Sequence, residues 1–266
     1  MSLARHTLHS GAALRIQRVR CCPHDGACGP VEYAERDTLA LPLRGVFVKH
    51  LGPRERVVAD SCHAVLFRKG EPYRVSHPVD GGDECLSIEL SAEAASQLSF
   101  QRNSVALEPE LIATRELLRH RLERGIATAL DAEDSAFTLL SKVLDMEPPP
   151  AARSRRQAEM VEATRITLAA QPGENWSLGE LAKRVHSSPF HLSRTFRALA
   201  GVSLHRYQLR ARMSAALREV LDGSRELTAV AFDLGFSSHS HFTASFRRAF
   251  GAAPSALRKS KKLTAQ

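Results

Sequence analysis

The chain has 266 residues, 43% of them hydrophobic, enough for two domains that each bury a core. No apolar run approaches the about 18 residues of a membrane helix, and none follows the early basic residues, so neither a membrane span nor a signal peptide is expected. The formal net charge of +8 is compatible with a polyanionic partner without identifying one.

The distribution of charge says more than its sum. From Arg153 to Lys262 there are 19 Lys and Arg against 8 Asp and Glu, an excess of +11, while the rest of the chain holds 18 against 21, a balance of −3. Two regions of opposite sign imply two domains with different partners. Five cysteines without the spacing of a disulfide scaffold fit a reducing, cytoplasmic location.

From about Leu14 to Leu90 the sequence reads as short strands. Gly45-Val46-Phe47-Val48, Val57-Val58, Ala64-Val65-Leu66-Phe67 and Leu86-Ser87-Ile88-Glu89-Leu90 are apolar or β-branched. Gly52-Pro53, Lys69-Gly70-Glu71-Pro72, His77-Pro78 and Asp80-Gly81-Gly82-Asp83 supply turns between them. That spacing predicts a small sandwich or barrel over residues 1–108.

The period changes near Pro109. Leu111, Leu117, Leu118 and Leu122 form one helical stripe, and Leu130, Phe137, Leu140, Val143 and Leu144 a second, after a break at Gly125. Residues 109–147 are therefore expected to form a helical hairpin that covers the β domain or faces a second copy of the chain. Pro148-Pro149-Pro150 opens a stiff linker over 148–156, with Arg153, Arg155 and Arg156 at the start of the basic region.

Within 157–262 the chain nearly repeats itself. Leu178, Leu181, Ala182 and Val185 follow an i, i+3, i+4, i+7 spacing, and Leu227, Val230, Ala231 and Leu234 match it. A short turn and a further helix follow each set, aligning His191 with His241, Leu192 with Phe242, Phe196 with Phe246, Arg197 with Arg247 and Gly201 with Gly251. An amphipathic helix, a tight turn and a polar-faced second helix make a helix-turn-helix, so an all-α domain with two such units is predicted. Ser188 is placed to cap the second helix of the first unit with Pro189 in its first turn, and Ser237 or Ser238 its counterpart. Phe196 and Phe246 read as core. A single helix from about Leu204 to Leu221 would hold the units apart.

Ala231-Phe232-Asp233-Leu234-Gly235-Phe236-Ser237-Ser238-His239-Ser240-His241-Phe242, continuing through Phe246-Arg247-Arg248-Ala249-Phe250-Gly251 to Pro254 and Arg258, resembles the signature of the AraC/XylS family of bacterial regulators. Leu192-Ser193-Arg194-Thr195-Phe196-Arg197 and Gly201 to Tyr207 resemble its first unit and the start of its linking helix, so the likeness runs from Ala158 to Lys259. The resemblance implies a seven-helix domain that contacts two adjacent major grooves of double-stranded DNA. The N-terminal strands and hairpin look like the cupin-like sensing and dimerisation domain often found in this family. The implied whole is a two-domain α+β regulator: a homodimer controlled by a small-molecule effector, and in touch with RNA polymerase if it activates.

Site residues follow from the same resemblance. In the first unit Phe190, Ser193 and Arg194 take the base-contacting face, Arg194 being suited to a bidentate bond with guanine, while Arg197 meets phosphate. In the second unit His239, Ser240 and Thr243 take the equivalent face, with Ser238 and Arg247 beside it. Ala244 stands where Arg194 stands in the first, a departure that shifts the second helix toward phosphate contacts and fit. His191 and His241 either touch DNA or cap and pack their own helices, and Lys259, Lys261 and Lys262 are either a phosphate-contacting tail or a solvated end.

An enzyme of the cupin kind would hold a metal through a His-x-His pair. None occurs between Val46 and Leu90, where His50, His63 and His77 are single; His239-Ser240-His241 has the spelling but lies in the second unit. No nucleophile elbow or phosphate-binding glycine loop occurs, so neither catalysis nor a cofactor is expected. Cys21, Cys22, His24 and Cys28, which Cys62, His63, His77 and Cys85 could join in space, offer a metal site or thiol switch; without a regular C-x-x-C pair the expectation is no metal, the cysteines serving as small apolar residues. An architectural DNA-binding protein would account for the basic region but not for the separate acidic one.

Overall fold

A computed structural model describes residues 2–22, 28–53, 55–98, 100–146 and 154–263. The linker prolines, Arg153 and His24 lie outside them. The N-terminal part is built from β1 (Ser2–Ser10), β2 (Leu14–Cys22), β3 (Glu32–Tyr33), β4 (Thr38–Gly45), β5 (Phe47–His50), β6 (Arg56–Ala59), β7 (His63–Phe67), β8 (Pro72–Ser76), β9 (Asp83–Leu90), α1 (Ala92–Ser96) and β10 (Ser104–Ala106). Antiparallel pairing gives a six-stranded sheet in the order β1-β2-β9-β4-β7-β10 and a four-stranded sheet β3-β8-β5-β6.

Side chains alternate across a strand, and that alternation decides what each face of the large sheet meets. Leu14 and Ile16 of β2, Leu39 and Leu41 of β4, Leu66 of β7, and Leu86, Ile88 and Leu90 of β9 form a core with Leu111, Ile112, Leu118, Leu139, Leu140 and Val143. On the other face Ala40, Val65, Phe67 and Cys85 meet Phe47 and Ala59 of the small sheet, with the Phe47 and Phe67 rings stacked at 6.5 Å. The barrel alternative is corrected here. The two sheets face one another as a sandwich, and among the described residues no ladder joins an edge of the small sheet to the large one.

The predicted hairpin is α2 (Pro109–Glu123) and α3 (Ala129–Asp145). Pro109 sits in the first turn of α2, and Thr128 with Asp131 makes a reciprocal capping box at the start of α3. Two members of the predicted stripes face outward: Leu117 is 39% exposed and Leu130 78%. Leu117 precedes the buried Leu118 by one residue, about 100° around the helix, and Leu130 lies in the first turn of α3, ahead of Ala132, the first residue of that helix to be buried.

The C-terminal part comprises α4 (Arg155–Ala170), α5 (Leu178–Arg184), α6 (Pro189–Ala200), α7 (Leu204–Asp222), α8 (Leu227–Asp233), α9 (His239–Phe250) and α10 (Pro254–Leu263). The long helix α7 belongs to both halves. Its Tyr207 and Ala211 pack with Leu168, Leu181, Leu192 and Phe196, and its Met213, Leu217 and Val220 with Val230, Phe236, Phe242 and Phe246. No helix among the described residues is long and apolar enough to cross a membrane.

A buried polar seam joins the sheet region to the helical region. Arg115 of α2 is fully buried and donates to Pro42 O at 2.7 Å, Ser61 O at 2.9 Å, Glu116 at 2.9 Å and Ser214 Oγ of α7 at 2.9 Å. Arg119 binds Glu116 at 3.0 Å and reaches Asp222 of α7 at 3.0 Å. Asp60, in the turn before β7, accepts from Arg165 of α4 at 2.9 Å and from Tyr207 of α7 at 2.6 Å. Breaking this seam would leave charges buried without partners, which costs several kcal/mol.

Candidate nucleic-acid interface

Local chemistry sets both candidate reading helices. Ser188 caps α6, its Oγ accepting from His191 N at 3.2 Å, with Pro189 in the first turn. Ser238, rather than Ser237, caps α9 through His241 N at 3.1 Å. Gly201 and Gly251 end the two helices in the left-handed conformation, with φ of 72° and 75°. Phe196 and Phe246 are fully buried, so the opposite face of each helix is turned outward.

The two turns differ by one residue. Between α5 and α6 lie Val185 to Ser188, with His186 at φ 48°; between α8 and α9 lie Leu234 to Ser238, with Gly235 at φ 74°. The added residue is Phe236, which is 3% exposed and packs edge-on against Phe242 and His241, each at 5.4 Å. Gly235 cannot carry a side chain: a Cβ would lie 2.2 Å from Gly173 O in addition to the positive φ.

The placement of the expected residues follows. On α6, Phe190 is 74% exposed, and His191, Ser193, Arg194 and Arg197 are exposed beside it. On α9, His239, Ser240, Ala244, Arg247 and half-buried Thr243 share one face. His239 Nε2 lies 3.4 Å from Thr243 Oγ1, and His241 lies 3.5 Å from Ser237 Oγ with its ring on Phe236, so His241 has contacts within its own unit. The Ser238 hydroxyl oxygen accepts the cap hydrogen bond from His241 N.

Two residues escaped the sequence reading. Arg248 lies on the same face of α9 as Ala244, one turn further along, so that face carries a cation that α6 lacks at the matching Ala198. The signal was the i, i+4 relation to Ala244. Arg212 of α7 fastens the two units together: it donates to Pro172 O at 2.8 Å and Glu174 O at 3.0 Å on one side and to Gly235 O at 3.1 Å on the other, with its guanidinium 5.8 Å over Phe236. No spacing rule would have found a side chain that binds three carbonyls from two loops.

Two cavities lie away from these helices. One, of about 620 Å³, opens between the two sheets and is bordered by Phe47, Phe67, Tyr73, Arg15 and Glu89. The other, of about 1030 Å³, lies in the cleft between the sheet and helical regions, where Arg18, Arg44, Arg119 and Arg218 line it with Glu84 and Glu123. Three of the cysteines, Cys21, Cys62 and Cys85, are buried free thiols, and Cys22 and Cys28 are exposed free thiols. Burial pushes the Cys21 thiol up to about 11 and Cys62 up to about 12, and raises Cys85 as well, which keeps all three protonated and poor nucleophiles.

A short helix, a turn and a capped, outward-facing second helix are the parts of a helix-turn-helix protein, and residues 181–260 match the helix-turn-helix domain family. A putative AraC-like transcription regulator of Streptomyces antibioticus is 31% identical over 160 residues, 58% of this chain and 52% of that protein. The transcriptional activator RhaS of Pectobacterium carotovorum is 29% identical over 64% of this chain and 56% of its own length. Over part of its length the chain is thus similar to AraC-like bacterial transcription regulators. It spans about half the length of the curated relatives it matches. Among solved structures, ToxT from Vibrio cholerae is similar over 93% of this chain and 98% of its own at 13% identity and a TM-score of 0.36. The DNA-binding domain of AdpA, solved with a target DNA, is 27% identical over 41% of this chain and 94% of its own, with a TM-score of 0.35. Scores this low place no individual residue.

Proposed function

We propose that this protein is a sequence-specific transcription regulator in which α5–α6 and α8–α9 act as two helix-turn-helix units that read adjacent major-groove segments. The observation that carries the reading is the pair of capped, outward-facing helices mounted on one helix, α7, and fastened by Arg212. At 19 residues α7 is about 28 Å long, close to the ~34 Å turn of B-DNA that separates neighbouring groove segments on one face. Phe190, Ser193 and Arg194 supply base contacts in the first unit, with Arg197 on phosphate. His239, Ser240 and Thr243 take the second groove, where Arg247 and Arg248 anchor the backbone.

The effector reading belongs to the cavity between the sheets. Its aromatic walls, with Arg15 and Glu89 bonded at 3.0 Å on its rim, suit a small molecule with an apolar body and a polar end. Such a ligand changes output only by preferring one arrangement of the protein. Because α2 lies between the large sheet and α7, a change in the sheet reaches the helix that mounts both reading units. With α2 enclosed in this way, a homodimer would use the outer face of α3.

The test is selection of genomic fragments by the purified protein, followed by sequencing. A motif of two boxes about one helical turn apart is expected. Diffuse enrichment that vanishes with modest salt, with and without candidate effectors, would overturn the reading in favour of an architectural role.

A further inference from the structure

At one edge of the cavity between the sheets the sandwich holds a group of buried ligand-type side chains to which neither the DNA reading nor the effector reading gives a role. Cys21 on β2 stands directly opposite Asp83 on β9 in the antiparallel ladder, so both point to the same face of the sheet. His77 follows β8, and the turn through Gly81 and Gly82, with φ of 91° and 68°, folds the chain back from the small sheet to the large one. The three ligand atoms lie within 4.8 Å of one another. Cys21 is 6% exposed, and the His77 and Asp83 side chains 1% and 6%.

We propose that Cys21, His77 and Asp83 form a binding site for a divalent zinc-class ion. A thiolate, an imidazole and a carboxylate are the donors such an ion takes, whereas magnesium and calcium prefer all-oxygen sets. The site sits where strand register, the turn and a supporting hydrogen bond coincide. Cys85, two residues along β9, donates its S–H to Asp83 Oδ2 at 3.1 Å, leaving Oδ1 toward His77 and orienting the carboxylate as outer partners of metal ligands do. His77 Nε2 and Asp83 Oδ1 are now 2.6 Å apart. Ligand atoms of a tetrahedral zinc, each about 2.0–2.2 Å from the ion, stand roughly 3.3–3.6 Å apart, so loading needs these two side chains to part by about 1 Å. Binding replaces the hydrogen bond by two bonds to the ion: the proton on His77 Nε2 is lost from that nitrogen and taken up at Nδ1, the other neutral tautomer, while the Cys21 thiol proton passes to solvent. Three protein ligands leave a fourth tetrahedral position, and the cavity that Cys21, Asp83 and Cys85 border gives a water or a ligand donor access to it. This inference stands apart from the DNA reading, because ion binding is measured without DNA.

The experiment uses the full chain, free of any histidine tag, loaded with zinc, passed over a desalting column and analysed for metal per chain. One equivalent is expected, falling to near none in Cys21→Ser and His77→Gln, while Cys22→Ser and Cys28→Ser keep it. Cobalt(II) added to the wild-type protein should give a thiolate-to-cobalt charge-transfer band, which needs no variant to fold. Substoichiometric zinc in the wild type, absence of the cobalt band, or full zinc content in folded Cys21→Ser and His77→Gln would each overturn the proposal. In that case the three side chains are a hydrogen-bonded cluster and nothing more.

Discussion

Asp60→Asn tests whether the sheet and helical regions are welded together in solution. Asp60 Oδ1 accepts from Cys62 N and His63 Nδ1, each at 2.9 Å, and Oδ2 accepts from Arg165 Nη2 at 2.9 Å and Tyr207 Oη at 2.6 Å. Every partner is a donor, so the asparagine NH₂ faces a donor whichever way it turns. The Asp60 side chain is 1% exposed and that of Arg165 13%, so the guanidinium is left buried with Val58 O and Tyr207 but no counter-charge. Removing one partner of such a pair costs about 3–5 kcal/mol, a fall in Tm on the order of 10 °C for a chain of this size. The assay is urea and thermal unfolding followed both by the fluorescence of the single tryptophan, Trp176 in the helical region, and by circular dichroism. Both probes should shift together. A loss below about 1 kcal/mol, or a Trp176 transition that does not move, would refute the seam. The effect also has a pH signature. Burial alone would raise the Asp60 carboxyl, but His63 and Arg165 outweigh it and hold it well below the usual carboxylate range. A depressed folded pKa stabilises fully above the unfolded value of about 3.9 and is lost as pH falls below it, so the gap between wild type and Asp60→Asn should close in that acid window.

Other outcomes follow from the same structure. Arg194→Ala should cost roughly 1–3 kcal/mol of operator binding and relax one base position; an equal loss on every DNA sequence would remove its base-reading role. Ser238→Ala should cost about 1 kcal/mol of stability through the α9 cap, read in urea melts, with Ser237→Ala near neutral. Arg212→Ala should weaken two-box DNA more than single-box DNA in gel-shift titrations, because it frees the two units from one another; equal weakening would mean that α7 alone sets their spacing. Burial, then the charge of Arg165, lowers the His63 pKa, so stability is full above about pH 6.5 and falls as pH drops below it. His63→Gln should flatten that part of the pH–stability curve.

The sequence by itself determined what local physics controls. The repeat at 178–185 and 227–234, the serine caps and the terminal glycines are short-range signals, and the helices formed where those signals stood. The apolar strands β7 and β9 were legible because both their faces are buried. β1 escaped notice, and β2, though inside the expected strand region, was not singled out, because charged residues such as Arg5, Arg15, Arg18 and Arg20 interrupt their pattern; Arg15 and Arg18 become partly covered only when Glu89 and Glu123 arrive from elsewhere in the chain. Only the tertiary structure decided the rest. That Asp60 meets Arg165 and Tyr207, that Arg212 ties two loops, and that Cys21 stands beside His77 and Asp83 are pairings across long stretches of chain. Periodicity reports which face of an element is apolar; it carries no record of which distant partner that face, or a charge upon it, will find.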